Sequence, residues 1–232
     1  MGYGGIEFKH IWKFQIKIMM GNQYSKCVNA TSQKDIIVAC LRLGWNDAFR
    51  HTSKNIDGLK ENQKESIIVD ICEKTSENFK KYAEKDTTEE KYNYINNCLA
   101  DENFKKNFNR IKVVAQGEDK ALCLGHIQKM FNMALKLFLC LKICAEQADC
   151  MGIDIGLNSK LFECKFAFDT ADCPIDSIIL DKLNYNSEIK WSKLGQDEEH
   201  PAEEYKNIQD AISKKSEVAG KSNLFFDFEN WN

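Results

Sequence analysis

Proline is almost missing from this chain: Pro174 and Pro201 are the only two among 232 residues. Proline breaks helices and central strands, so its scarcity favours long helices over a many-turned β-sandwich. Arginine is nearly as rare, with 3 against 29 lysines, so any phosphate contacts would fall mostly to lysine. No segment approaches the ~20 apolar residues that span a bilayer. The apolar run from Ile11 to Met20 is interrupted by Lys13, Gln15 and Lys17, and no secretion signal is expected. Internal repeats and low-complexity stretches are also lacking.

Metal-ligand spacing is absent too. The histidines (His10, His51, His126, His200) are scattered, and the ten cysteines include no Cys-x-x-Cys pair. Most cysteines lie in apolar helical patterns, as in Val38-Ala39-Cys40-Leu41 and Leu139-Cys140-Leu141. They read as small hydrophobes in a reducing compartment rather than as a disulfide framework. No metal and no organic cofactor is expected.

What is present is ordinary for a globular protein: 43% hydrophobic and 29% charged residues. The length suits one large domain or two interlocked subdomains. A net charge of −3 does not advertise nucleic acid, although one basic face can coexist with an acidic back. The densest basic stretch is Lys105-Lys106-Asn107-Phe108-Asn109-Arg110-Ile111-Lys112, equally readable as a solvated helix face.

Periodicity predicts mostly helix. Residues 6–20 read as a short strand or an edge helix. Thr31 to Asp35 looks like a helix start, with Gly44 as its end and Trp45 opening the next element. Helices are predicted over 64–84, 88–99, 103–116 and 127–146, the last apolar enough to be central. A loop-like stretch covers 147–173. A short helix follows Pro174, Trp191 opens a polar turn, and His200-Pro201 starts a last helix to about Lys215. A tail ends in Phe225-Phe226-Asp227-Phe228. The fold class is all-α.

Two positions carry possible chemistry. Lys129 lies in Gly125-His126-Ile127-Gln128-Lys129, at the head of the central helix; Asn132, Lys136 and Cys140 share its face. Asp176 lies in Cys173-Pro174-Ile175-Asp176-Ser177, where a loop enters a helix. Asp176 can be a simple helix cap, and Asp169 and Asp172 compete with it for any catalytic role. Alone, a lysine on a polar helix face is most simply solvated.

Together, the turn glycine, the Gln-Lys at a helix start and the later Pro-x-Asp at a second helix start resemble the helix-hairpin-helix DNA glycosylases. The archaeal 8-oxoguanine branch is the most similar, and the likeness covers 123–183. The resemblance implies one helical domain over 1–232, two helical subdomains flanking a cleft, a hairpin at about 117–129 and an insertion at about 150–167. It implies a monomer acting on double-stranded DNA that carries a modified base, in the cytoplasm on the nucleoid, without a cofactor. Lys129 would attack the sugar and Asp176 would assist. Trp45, Gln128, Asn132 and Lys136 would meet the flipped nucleotide; Gly125, His126 and Lys120 would hold the DNA backbone. The iron–sulfur loop of some relatives is absent, since no cysteine follows Cys173. Cys40, Leu41 and Arg42 stand where the family places a base-reading glutamine. The resemblance then implies that the excised base would be an oxidised guanine or a bulky phage-type modified cytosine, in repair or anti-phage defence. The alternative is a non-catalytic helical DNA- or protein-binding module.

Overall fold

The computed structural model describes residues 24–49, 59–108, 113–115, 118–120, 122–152, 154–185, 188–218 and 221–230. The segment 6–20, read as strand or edge helix, lies outside them. Among the described residues the architecture is all-α, relieved by one short β-hairpin.

Local signals set the helix starts. α1 is Tyr24–Val28 and α2 is Gln33–Phe49. Ser32 and Asp35 cap α2 reciprocally: the Asp35 amide donates to Ser32 Oγ at 3.2 Å, and the Ser32 amide to Asp35 Oδ2 at 2.8 Å. α3 is Glu61–Ala83 and α4 is Thr88–Ala100, the latter opened by the same device between Thr87 and Glu90. α5 is Glu102–Phe108.

The central helix α6, Leu124–Met151, would be about 42 Å long at 1.5 Å per residue. Every residue from Cys123 to Leu141 is buried, so α6 is surrounded rather than amphipathic over that length. α2, α3 and α4 pack along it. Phe131 meets Phe79 edge-on at 5.7 Å, and Phe138 meets Phe162 at 5.2 Å and Phe166 at 5.0 Å. α6 ends at Gly152 in the left-handed conformation, φ 67°. α7 (Ser177–Leu183), α8 (Glu204–Val218) and α9 (Asn223–Asn230) close the remaining side. One contiguous core takes side chains from α1 through α9.

Several boundaries differ from the sequence reading. α5 stops at Phe108, and Val113–Ala115 (β1) pairs antiparallel with Glu118–Lys120 (β2), Val113 opposite Lys120. A β-hairpin, favoured by the β-branched Val113 and Val114, therefore stands where a helix running to 116 and a tight interhelical turn are predicted. The stretch 150–167, expected as a surface insertion, is mostly exposed among its described residues, and Leu157, Phe162 and Phe166 anchor it to the core. The aromatic tail is helix α9. Gly44 lies inside α2 instead of ending it: a Cβ there would stand 2.3 Å from the Met130 carbonyl oxygen, so α2 and α6 cross almost backbone to backbone.

That crossing gives a test. Gly44→Ala is expected to lower stability by about 1–3 kcal/mol in urea denaturation, because backbone blocks the methyl group. An unchanged midpoint would show that the helices separate at no cost.

Candidate active site

Asp176 is the N-cap of α7, and its two oxygens divide the work. Oδ1 accepts from the Ile179 amide at 3.0 Å. Oδ2 faces Lys129 Nζ, in the second turn of α6, at 3.5 Å. The two side chains are 9% and 11% exposed. The Trp191 ring covers the amine, 4.5 Å from ring centre to Nζ. The amine thus has a carboxylate and an indole as neighbours. Beside it opens a surface pocket of about 240 Å³, lined among others by Ser177, Asp181, Tyr185, Lys190, Trp191 and Ser192. Ser177 follows Asp176 directly, and Trp191, whose ring lies over the amine, also lines the pocket.

Behind the pair lies a buried polar network. Gln128 Nε2 donates to the Ile175 carbonyl at 3.0 Å and the Gly125 carbonyl at 3.1 Å, and Gln128 Oε1 accepts from the Ile175 amide at 3.2 Å. Gln209 of α8 treats Cys173 the same way, donating to its carbonyl at 2.6 Å and accepting from its amide at 3.1 Å. Asn132 Nδ2 lies 3.3 Å from Gln128 Oε1, the Cys173 carbonyl and the Tyr205 hydroxyl, and Asn132 Oδ1 accepts from the Tyr82 hydroxyl. Asp172 accepts from Tyr205 at 2.5 Å and from Thr88 at 2.6 Å, while Lys91 donates to the Thr170 carbonyl. Burial raises the Asp172 carboxyl, and Lys91, Thr88 and Tyr205 pull it back down. Burial also pushes the Tyr82 and Tyr205 hydroxyls well above their ordinary value.

The structure brings Lys129 and Asp176 together, with Gln128 and Asn132 immediately behind. It places the other expected contacts elsewhere. Trp45 is 2% exposed and stacked on Phe49 at 4.1 Å, so it offers a base no free face; Trp191 is the aromatic at the pair. Gln128 and Asn132 are saturated by protein groups and face no substrate. Lys136 is fully buried, paired with Asp227 of α9 and lying 4.7 Å from the Phe228 ring centre. The Gly125 amide donates to the Leu194 carbonyl at 3.1 Å, and a Cβ there would stand 1.9 Å from the Trp191 carbonyl oxygen. That amide is therefore closed to a phosphate. His126 is buried, stacked on Phe49 and 2.9 Å from Cys123 Sγ through Nδ1. Lys120 lies on β2.

Sequence reasoning missed Trp191, Lys91, Asp227 and the pair Tyr205 and Gln209. The last two stand four residues apart on α8, as Gln128 and Asn132 do on α6, and that shared spacing was the available signal. Among the described residues no cluster of histidine, cysteine and carboxylate side chains fits a metal, and no helix is long and apolar enough to cross a membrane. No known protein family, curated protein or solved structure matches the chain.

Two predictions follow from the buried charges. Lys136→Met leaves Asp227 buried and unpaired, which should cost about 3–5 kcal/mol. The double variant Lys136→Met with Asp227→Leu should recover most of it in urea denaturation; a double variant as weak as the single would deny the pairing. For His126, burial lowers the imidazole from 6.5 to about 4. Between those values the unfolded chain binds a proton that the folded chain refuses. The stability His126 contributes is whole above pH 6.5 and is lost as pH falls toward 4, roughly 3 kcal/mol in all. Burial raises Asp172 and Asp227, which pull the opposite way, so the wild-type curve is a sum. Its difference from His126→Phe, which keeps a ring against Phe49, isolates the histidine. Parallel stability curves for the two proteins would refute the assignment.

Proposed function

We propose that this protein is a DNA N-glycosylase with lyase activity, working through Lys129 and Asp176. The 3.5 Å separation of amine and carboxylate carries the reading. A carboxylate with one oxygen committed to the helix cap and the other to a lysine can take that lysine's proton. The freed amine attacks the anomeric carbon of a deoxynucleotide, the bond to the base breaks, and its electron pair leaves with the base. As the departing base takes that proton from it, the carboxylate is anionic again and stabilises the positive charge left on the sugar. Loss of the ring oxygen's bond to that carbon gives a Schiff base, and β-elimination then severs the strand on the 3′ side.

Burial adds a condition. The Trp191 ring lies over Nζ, so the turn Trp191–Lys193 must shift for a sugar to reach the amine. The pocket beside Trp191 gives a displaced base somewhere to go. The partner is duplex DNA with a modified base, and the working unit is a monomer. An oxidised guanine and a bulky modified cytosine are the two substrates to compare.

The occupied Gly125 amide favours a second reading, a helical binding module in which the pair only fastens α6 to α7. Borohydride trapping separates the two. The protein is incubated with duplexes carrying an abasic site, 8-oxoguanine or glucosylated hydroxymethylcytosine. A covalent adduct is expected, lost entirely in Lys129→Ala. Asp176→Asn keeps an oxygen for the α7 cap but should slow base release about 10²–10⁴-fold. No adduct and no base release on any duplex would leave the binding module.

A further inference from the structure

We propose that Gln128 and Gln209 are positioning residues whose side-chain amides fix the register of the Cys173–Ile175 backbone and so aim Asp176 at Lys129. The inference rests on the reading of Lys129 and Asp176 as the reacting pair. Each glutamine takes both backbone groups of one residue, Gln209 those of Cys173 and Gln128 those of Ile175. An extended chain presents the groups of residues i and i+2 to the same side, and a neighbouring strand would ordinarily satisfy them. Here two helices lend side chains instead. Pro174, between the clamped residues, has no N–H to satisfy. The glutamines come from different helices, α6 and α8, and Asn132 bridges them by lying near both the Cys173 carbonyl and Gln128 Oε1. Asp176 is the next residue along the chain. Gln128 is also one residue before Lys129, so one side chain ties the backbone on both sides of the ion pair.

A buried loop must pair its amides and carbonyls, and here the two glutamine side chains supply the partners. Fully satisfied polar networks also fix geometry, and reacting groups tolerate only about 0.5 Å of misplacement. The assembly is therefore suited to holding a carboxylate in place.

The test uses Gln128→Leu and Gln128→Glu in the full chain, with borohydride trapping on abasic-site DNA. The leucine variant loses every bond that Gln128 makes to Ile175 and Gly125 and leaves those of Gln209 to Cys173. The ionised carboxylate of Gln128→Glu still accepts from the Ile175 amide but has no hydrogen for the Ile175 and Gly125 carbonyls. Protonated, it regains one donor. Both variants are expected to lose about 10–100-fold in kcat at pH 8 with KM unchanged. Gln128→Glu, and not Gln128→Leu, should recover relative to wild type as pH falls toward 5.5. Rates within twofold of wild type, a loss confined to KM, or equal behaviour of the two variants at both pH values would overturn the proposal. If Gln128→Leu does not fold, by circular dichroism, Gln209→Glu takes its place in the kcat comparison, with the same loss expected. If the wild-type protein traps nothing, the pairing of Lys129 and Asp176 as reactants fails, and amide exchange still decides the clamp. The Ile179 amide, capped by Asp176, should then lose protection in Gln128→Glu at pH 8 and regain it at pH 5.5. Protection equal to wild type at both would overturn the clamp.

Discussion

The buried stretch from Ala171 to Asp176 must satisfy its backbone without belonging to a helix or a strand, and much of the molecule is organised around that constraint. An unpaired buried amide or carbonyl costs on the order of 1–3 kcal/mol. The Ala171 amide donates to the Phe168 carbonyl, and the other partners are side chains: Lys91 for the adjoining Thr170 carbonyl, Gln209 for both groups of Cys173 and Gln128 for both groups of Ile175. Pro174 contributes no donor. α4, α6 and α8 each send polar residues inward to this one segment, which explains why a central helix so completely buried carries Gln128 and Asn132. The segment delivers Asp176 to the head of α7, where the cap bond and the lysine take one oxygen each.

The helical architecture was legible because periodic apolar positions and capping boxes act locally. Ser32 with Asp35 opens α2 as the pattern predicts, and α3 and α4 fall within a few residues of their expected bounds. The misplaced boundaries arose where one residue type has two meanings. Glycine ends helices, but it also lets two helices touch, and Gly44 serves the second use against Met130. An aromatic-rich terminal stretch reads as a tail until a lysine two turns beyond Lys129 is seen to need Asp227.

The site divides along the same line. The pairing of Lys129 with Asp176 was legible as two helix-start motifs, each with a local grammar. The surroundings were not, because a polar residue on a helix face looks alike whether it meets water, substrate or another chain segment. Lys136 and Asn132 look cleft-facing in sequence and prove to be covered by α8 and α9. Tertiary cover of that kind depends on residues some 70 to 90 positions away, Tyr205 for Asn132 and Asp227 for Lys136, which no periodicity reports.

α6 carries two lysine–aspartate pairs, and their difference bears on which can do chemistry. Lys136 and Asp227 are 0% and 1% exposed, sealed by α9. Lys129 and Asp176 keep 9% and 11%, with a pocket behind the Trp191 turn. A fully enclosed ion pair is at best weakly favourable for stability, since desolvation offsets its attraction, and it can meet no substrate. It can still dictate a docking geometry, because α9 seated in any other register would leave both charges unpaired. The less enclosed pair lacks that seal, and the Trp191 ring lies over its amine. A charge pair less enclosed than its neighbour, and braced from behind by two glutamines, has the placement that the proposed reaction requires.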